Sequence, residues 1–315
     1  MRIAIVGAGA VGGYFGARLA HAGQDVTFIA RGAHLAAIRA RGLHVVSPAL
    51  GDFTVKARAE EHTAAVGPVD LVIFAVKAYD NDTAIPQLAP LVGSDTAVLT
   101  LQNGVDSTTE LASAVGESQV LGGTTYVATA VEAPGRIAQT GVHRSIIFGE
   151  AFGERREVSP RVRTVAAVMG PADIEVTAVP DARVPIWDKF VYLAPFSGLT
   201  GAARLPIGHL WRHPHVRELF YAAAREVAAI AAAEGVRISA DRFATLEHYM
   251  NGIPASTRSS LLIDLDQGKR IEVEALQGAA VRRAAAHGVP APILATLYAV
   301  LKPWAGGNPG RAPQP

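Results

Sequence analysis

The first half of the chain repeats one pattern: a short apolar run, a glycine or a polar break, then a stretch of helical character. Arg2 to Val6 reads as a buried strand, Ala10 to Ala22 as a helix ended by Gly23, and Asp25 to Ala30 as a second strand. Val69 to Val76 is nearly unbroken apolar sequence, as expected of a parallel strand covered on both faces. Ala97 to Leu101 is another, bracketed by Asp95 and Gln102, and Asp80 to Leu91 between them predicts a crossover helix. Alternation of this kind predicts a parallel sheet with right-handed crossovers.

From Val120 the texture changes. Thr124, Thr125, Val127 and Thr129 predict a strand, and Ile137 to Gln139 and Ser145 to Phe148, with Gly141 between them, predict antiparallel additions. Ile174 to Val179 would close the sheet, and Pro180 with Asp181 marks a boundary. Beyond Pro185 the pattern is helical: Ile186 to Ala203, Val216 to Glu234, a middle that resists reading, and Ile271 to His287. Tyr221 to Ala233 has the alanine content of a long helix. The expected class is α/β: an N-terminal Rossmann-type doubly wound sheet over residues 1–180, then an all-helical domain over 181–305. Residues 306–315 are Gly/Pro-rich and read as a disordered tail.

Composition narrows the function classes. Lys and Arg number 29 against 28 Asp and Glu, with no block of like charge, so nothing favours a nucleic-acid or membrane-surface partner. The absence of cysteine removes disulfides, thiolate metal sites and cysteine nucleophiles together. No apolar run approaches the ~18 residues of a membrane span, and a cytoplasmic location is expected. The alanine-rich helices suit a domain core or a homodimer equally.

The chemistry begins at Gly7-Ala8-Gly9-Ala10-Val11-Gly12. This glycine pattern alone is weak, but here it follows a predicted strand and opens a predicted helix, as a dinucleotide-binding turn must. Gly7 serves the tight turn, Gly9 lets backbone approach a pyrophosphate, and Gly12 allows close helix–strand packing. The helix N-terminus offers N–H groups and partial positive charge to the phosphates. The second strand then ends at Ile29-Ala30-Arg31. A carboxylate is the usual partner of an unmodified ribose there, whereas arginine suits a 2′-phosphate, which points to NADP(H). Lys77 and Asn103 follow two further strands, where nicotinamide-ribose or substrate contacts are expected, although a lysine cap and an Asn-Gly turn are the plain alternatives.

With these residues assembled, the chain resembles the 2-dehydropantoate 2-reductase (ketopantoate reductase) family nearly to Trp304. The resemblance rests on the glycine turn, Arg31, Val76-Lys77 and Leu101-Gln102-Asn103-Gly104, and then on Trp187-Asp188-Lys189 and the stretch from Ser259-Ser260 through Asp264 and Gly268-Lys269 to Glu272. It implies NADPH-dependent reduction of a 2-oxo acid or related ketone to the hydroxy compound, as in pantothenate biosynthesis. By resemblance Lys189 is the catalytic lysine, Glu272 the glutamate that works with it, Ser260 a substrate-binding serine and Asn103 the asparagine near the nicotinamide. Such chemistry is sound: charge gathers on the ketone oxygen during reduction, and a lysine can both stabilise it and protonate it.

The resemblance also has a gap. The family carries asparagines four and eight residues after its lysine, where this chain has Leu193 and Ser197. Both lie on the helix face of Lys189, so they are expected to border the substrate, and Leu193 offers it no hydrogen bond. Reduction of a different, more apolar oxo compound is therefore one expectation beside ketopantoate itself. A non-catalytic NADP(H)-binding sensor is a third, opposed by the retention of Lys189 and Glu272. His209, His213 and His215 surround Trp211 and Pro214, but Pro214 breaks the register a metal site needs. They read as a surface loop, and no metal is expected.

Overall fold

The computed structural model describes residues 1–48 and 51–310. The chain divides into two compact units, Met1–Gln102 with Ser107–Pro185, and Asn103–Asp106 with the chain from Ile186 onward.

The first unit carries β1 (Arg2–Val6), α1 (Ala10–His21), β2 (Asp25–Ile29), α2 (Gly32–Arg41), β3 (Leu43–Val46), β4 (Phe53–Val55), β5 (Arg58–Glu60), β6 (Leu71–Phe74), α3 (Asn81–Ala84), β7 (Ala97–Thr100), α4 (Ser107–Val115), β8 (Val120–Ala133), β9 (Arg136–Glu150), α5 (Pro160–Met169) and β10 (Glu175–Asp181). Among the described residues ten strands form one sheet, in the order β4-β3-β9-β8-β7-β6-β1-β2-β5, with β10 beside β9. The run β8-β7-β6-β1-β2-β5 is parallel throughout. Strand order turns back at β1, which makes the carboxyl ends of β1 and β6 the switch point where ligands of such sheets lie. Alternate residues feed two cores. Ile3, Ile5, Phe28 and Leu99 pack with Tyr14, Phe15 and Leu19 of α1 and Val162 of α5. Ala4, Val6, Phe74 and Val98 pack with Leu88, Leu91 and Leu111. Covering on both faces is what the unbroken apolar strands required.

Several predicted elements take a different form. The crossover expected as one helix over Asp80–Leu91 is the single α-turn of α3 followed by 3-10 turns over Ile85–Leu91. Pro86 and Pro90 lack the N–H groups an α-helix would use there. The two strands expected around Gly141 are one, β9. Its pairing with β8 jumps from Val127–Arg144 to Thr129–Gln139, so residues 140–143 form a bulge in which Gly141 takes φ +80°. Helices α2, α4 and α5, the edge strands β4 and β5, and β3 between β4 and β9 come in addition to the elements predicted.

The second unit is helical: α6 (Arg183–Ala203, from Ile186 in this unit), α7 (Ile207–Trp211), α8 (Pro214–Ala233), α9 (Arg242–Gly252), α10 (Ser260–Asp266), α11 (Ala279–His287) and α12 (Pro292–Leu301). Phe190 and Ala194 of α6, Phe220, Val227 and Ile230 of α8, and Leu294 and Leu301 of α12 are buried. The helix expected from Ile271 begins instead with a π-helical turn, Glu274–Gly278, before α11. The histidines expected in a loop are on helical ends: His209 lies in α7, His213 precedes α8, and Pro214 is the first residue of α8, where its missing N–H costs nothing. All three are exposed. Of the Gly/Pro-rich end, Gly307 is buried and donates to the Trp304 carbonyl, and Asn308 donates to that of Gly268, while residues 311–315 lie outside the described residues. No described helix is long and apolar enough to cross a membrane.

Candidate active site

In the first unit the glycine turn joins β1 to α1. Gly7 holds φ +96°, and a Cβ there would sit 2.6 Å from the Val76 nitrogen beyond β6. A Cβ on Gly12 would sit 2.2 Å from the Gly7 carbonyl oxygen, so helix and strand close only without side chains. Gly9 differs, since its Cβ would meet nothing within 4 Å. Open space at that one glycine, before a helix that no described side chain caps, is the form of a cradle for phosphate oxygens, and the residues present fit a dinucleotide. Ala8 is buried and its N–H donates to the Ile29 carbonyl at 3.2 Å, fixing the turn against the end of β2. Ala10 and Val11 open α1.

Arg31 caps α2 with extended backbone and an exposed side chain, two residues past the end of β2. Lys77 is partly buried past the end of β6. Gln102, after β7, donates through Nε2 to the Val76 carbonyl at 2.9 Å and to Asn81 Oδ1 at 2.7 Å. It thereby ties the end of β6 to α3, a bracing role that the sequence motif did not disclose.

In the second unit, Lys189 lies in the first half of α6 and donates through Nζ to Asn103 Oδ1 at 2.9 Å. Burial pulls the Lys189 pKa down to about 8, and the Glu272 carboxylate opposes that fall. Glu272 itself is buried, and its carbonyl accepts from Leu276, so it stands at the entrance of the π-helical turn. The structure thus brings together three residues that are 86 and 83 positions apart in the pairs Asn103–Lys189 and Lys189–Glu272. Ser260 is exposed as the first residue of α10, on the same short helix as Asp264. Its neighbour Ser259 is the cap of that helix, bonded to Thr200 Oγ1 at 2.8 Å.

Segment 103–106 is held from two sides. Gly104 passes so close to the π-helical turn that a Cβ would lie 2.4 Å from the Ala275 carbonyl oxygen. Arg283 of α11 donates to Asp106 Oδ1 at 2.8 Å and to the Val105 carbonyl at 3.2 Å, and pairs with Glu234 at 2.6 Å. Its guanidinium also lies 5.9 Å from the ring centroid of Trp187, two residues before Lys189. One arginine therefore touches both the Asn103 segment and the Lys189 helix.

Leu193 and Ser197 follow Lys189 on α6 at one and two turns, and both are buried. Ser197 Oγ donates to the Leu193 carbonyl at 2.7 Å and accepts from Gln277 Nε2 at 3.0 Å. Gln277, fully buried, also donates to the Ala194 carbonyl at 2.7 Å. These bonds support the helix around Pro195, which cannot donate its own. The Ser197 hydroxyl, expected at the substrate, is instead spent inside the helical core, because a short side chain on this flank reaches only its own backbone and Gln277.

A doubly wound sheet with a glycine cradle at its switch point, together with a buried lysine of lowered pKa beside an asparagine and a glutamate, defines a dinucleotide-dependent oxidoreductase. Comparison with known proteins gives the family. The model described as "Ketopantoate reductase PanE/ApbA" matches residues 3–153, and its C-terminal counterpart matches residues 181–305. The 2-dehydropantoate 2-reductase of Archaeoglobus fulgidus is 33% identical over 96% of this chain and 97% of its own. That of Mesorhizobium japonicum is 32% identical, again over 96% and 97%. The crystal structure of a PanE/ApbA family ketopantoate reductase from Ralstonia eutropha superposes with a TM-score of 0.87 at 33% identity, covering 96% of this chain and 97% of that one. The chain belongs to the ketopantoate reductase family, as a 2-dehydropantoate 2-reductase or a close relative that works with a nicotinamide dinucleotide.

Proposed function

We propose that the protein reduces a 2-oxo acid to the 2-hydroxy acid with NADPH, with Lys189 as the proton donor. The observation that carries this reading is the Lys189–Asn103 bond in the presence of the Glu272 charge. The bound cofactor supplies a hydride to the carbonyl carbon. Lys189, charged at neutral pH, stabilises the negative charge gathering on the carbonyl oxygen and then gives that oxygen its proton. Asn103 fixes the direction of the ammonium group, and Glu272 keeps it protonated against the cost of burial. Ser260, exposed at the start of α10, contributes a hydroxyl for the substrate carboxylate. In the first unit Gly7 to Gly12 hold the pyrophosphate, Lys77 supports the cofactor, and Arg31 pairs with the 2′-phosphate, which selects NADPH over NADH. With ketopantoate as substrate the step belongs to pantothenate synthesis, a cytoplasmic setting.

The test is Lys189→Ala. Turnover should fall about 10²–10⁴-fold while calorimetry shows NADPH binding retained. A variant that reduces substrate at the wild-type rate removes Lys189 from the reaction.

A further inference from the structure

We infer, building on the reading of Lys189 as proton donor, that Gln277 is a positioning residue for the reaction: it pins the π-helical turn to α6 and so keeps the Glu272 carboxylate beside Lys189. Gln277 is fully buried. Its Nε2 group donates to the Ala194 carbonyl at 2.7 Å and to Ser197 Oγ at 3.0 Å, two acceptors that follow Lys189 on its own helix. These partners fix which way the amide points, because an oxygen turned toward the Ala194 carbonyl would meet another acceptor. Gln277 Oε1 is buried with no hydrogen-bond partner among the described residues, so the side chain is held through its donor end.

The turn is shaped to put two side chains to this use. In an α-helix of about 3.6 residues per turn, a residue five positions on points well away from the first. Here the Gly278 N–H reaches back five residues to the Val273 carbonyl at 2.8 Å, and the wider coil lets positions five apart serve one side. Glu272 at the entrance of the turn acts on Lys189, and Gln277, five residues later, bonds α6 further along. Helix α6 leaves room for that bond: a Cβ on Gly198 would lie 3.1 Å from Gln277 Nε2. The turn is anchored on another side as well, where Tyr298 of α12 donates to the Glu274 carboxylate at 3.1 Å and Lys302 pairs with it. Without Gln277 the turn keeps its hold on α12 and loses these two bonds to the helix that carries Lys189.

Other charged groups around the lysine are engaged elsewhere. Asp188 accepts from the Ser239 N–H and is acted on by the Arg242 charge. Asp106 pairs with Arg282 and Arg283, and Glu274 with Arg282 and Lys302. The charge that shifts when the Gln277 bonds are lost is therefore that of Glu272. A carboxylate drawn away from Lys189 supports its ammonium form less, so the lysine gives up its proton at a lower pH.

The test is Gln277→Met, which keeps the length of the side chain and removes its donors, made in the full chain alone and together with Glu272→Gln. NADPH oxidation is followed across pH with the 2-oxo acid reduced fastest in a panel that includes 2-dehydropantoate. Gln277→Met should lower kcat about tenfold to a hundredfold and move the alkaline decline to lower pH, as Glu272→Gln does, with the Kd for NADPH unchanged. In the Glu272→Gln background Gln277→Met should move the decline no further, because both changes act through one contact. Ser197→Ala, which removes one of the two acceptors, should give a smaller shift in the same direction and stands in if Gln277→Met does not fold. A decline that keeps its wild-type position in the variant tested, or a full further shift in the Glu272→Gln background, overturns the inference. Failure of Glu272→Gln itself to move the decline, or oxidation of NADPH by no acid in the panel, overturns instead the reading on which it rests.

Discussion

Lys189 Nζ and Asn103 Oδ1 are 2.9 Å apart, a contact between the first half of α6 and a four-residue segment that follows β7. An amide oxygen so placed accepts from the ammonium group without competing for its proton, because an amide is not basic enough to take it. Glu272 acts differently, through its charge. Position and protonation of the lysine are therefore set by separate residues, and they can be separated experimentally.

Protonation gives the first prediction. The Lys189 pKa lies at about 8, below the ordinary lysine value because of burial, and ketone reduction requires the protonated form. The rate at saturating cofactor should be level below that pH and decline as pH rises through about 8. Glu272 raises this pKa, so Glu272→Gln should move the decline to lower pH. A pH–rate profile of wild type and variant checks both. A decline that stays in place or moves up in Glu272→Gln contradicts the assigned role.

Position gives the second. Arg283 holds Asp106 and Val105 of the Asn103 segment while lying against Trp187, which makes it a positioning residue. Arg283→Lys keeps the charge but loses the planar fork that reaches three partners at once. The KM for the oxo acid should rise and kcat should fall, together about tenfold to a hundredfold in kcat/KM. The KM for NADPH should hold. A simple loss of folded enzyme lowers kcat alone, so the split in KM distinguishes the two explanations.

The glycine cradle gives a paired prediction. Gly12→Ala forces a Cβ to within 2.2 Å of a carbonyl oxygen. It should cost about 1–3 kcal/mol, with a fall in Tm of roughly 2–4 °C per kcal/mol. Gly9→Ala meets no atom and should leave Tm within a few degrees while weakening NADPH binding about tenfold or more, because its methyl group enters the space of the phosphates. Thermal melts and calorimetric titration of both variants read the outcome. A Gly9→Ala protein that binds NADPH normally shows that the turn is only a turn.

Cofactor choice is the fourth. Arg31→Ala should raise the Kd for NADPH about tenfold to a hundredfold, the worth of a charge-assisted bond, and leave that for NADH unchanged. Titration of the variant with each nucleotide decides it. Equal losses for the two cofactors would mean that Arg31 does not read the 2′-phosphate.

How far the sequence discloses this molecule depends on the range of each signal. The parallel strands from Arg2, Asp25, Val69 and Ala97 were legible because burial on both faces writes an apolar run into the local sequence. The crossover near Asp80 misled because its apolar spacing suits a helix that Pro86 and Pro90 forbid. Short edge strands such as Phe53–Val55 carry too few residues for a period to show. At the site, Asn103 stood out through its place after a parallel strand, but Lys189 and Glu272 did so only through family resemblance, since nothing local marks residues that far apart in the chain as neighbours. Gln277 and Arg283 left no signal at all. A glutamine at a buried helix turn and an arginine on an amphipathic helix look ordinary until the partners they bond are known.

The most direct test is to incubate the full chain with NADPH and a 2-oxo acid such as 2-dehydropantoate, and to measure cofactor oxidation and hydroxy-acid formation together. One 2-hydroxy acid should form for each NADPH consumed, and Lys189→Ala should lose both signals. NADPH bound but never oxidised by any 2-oxo acid, or oxidation that survives the loss of Lys189, would contradict this chemistry.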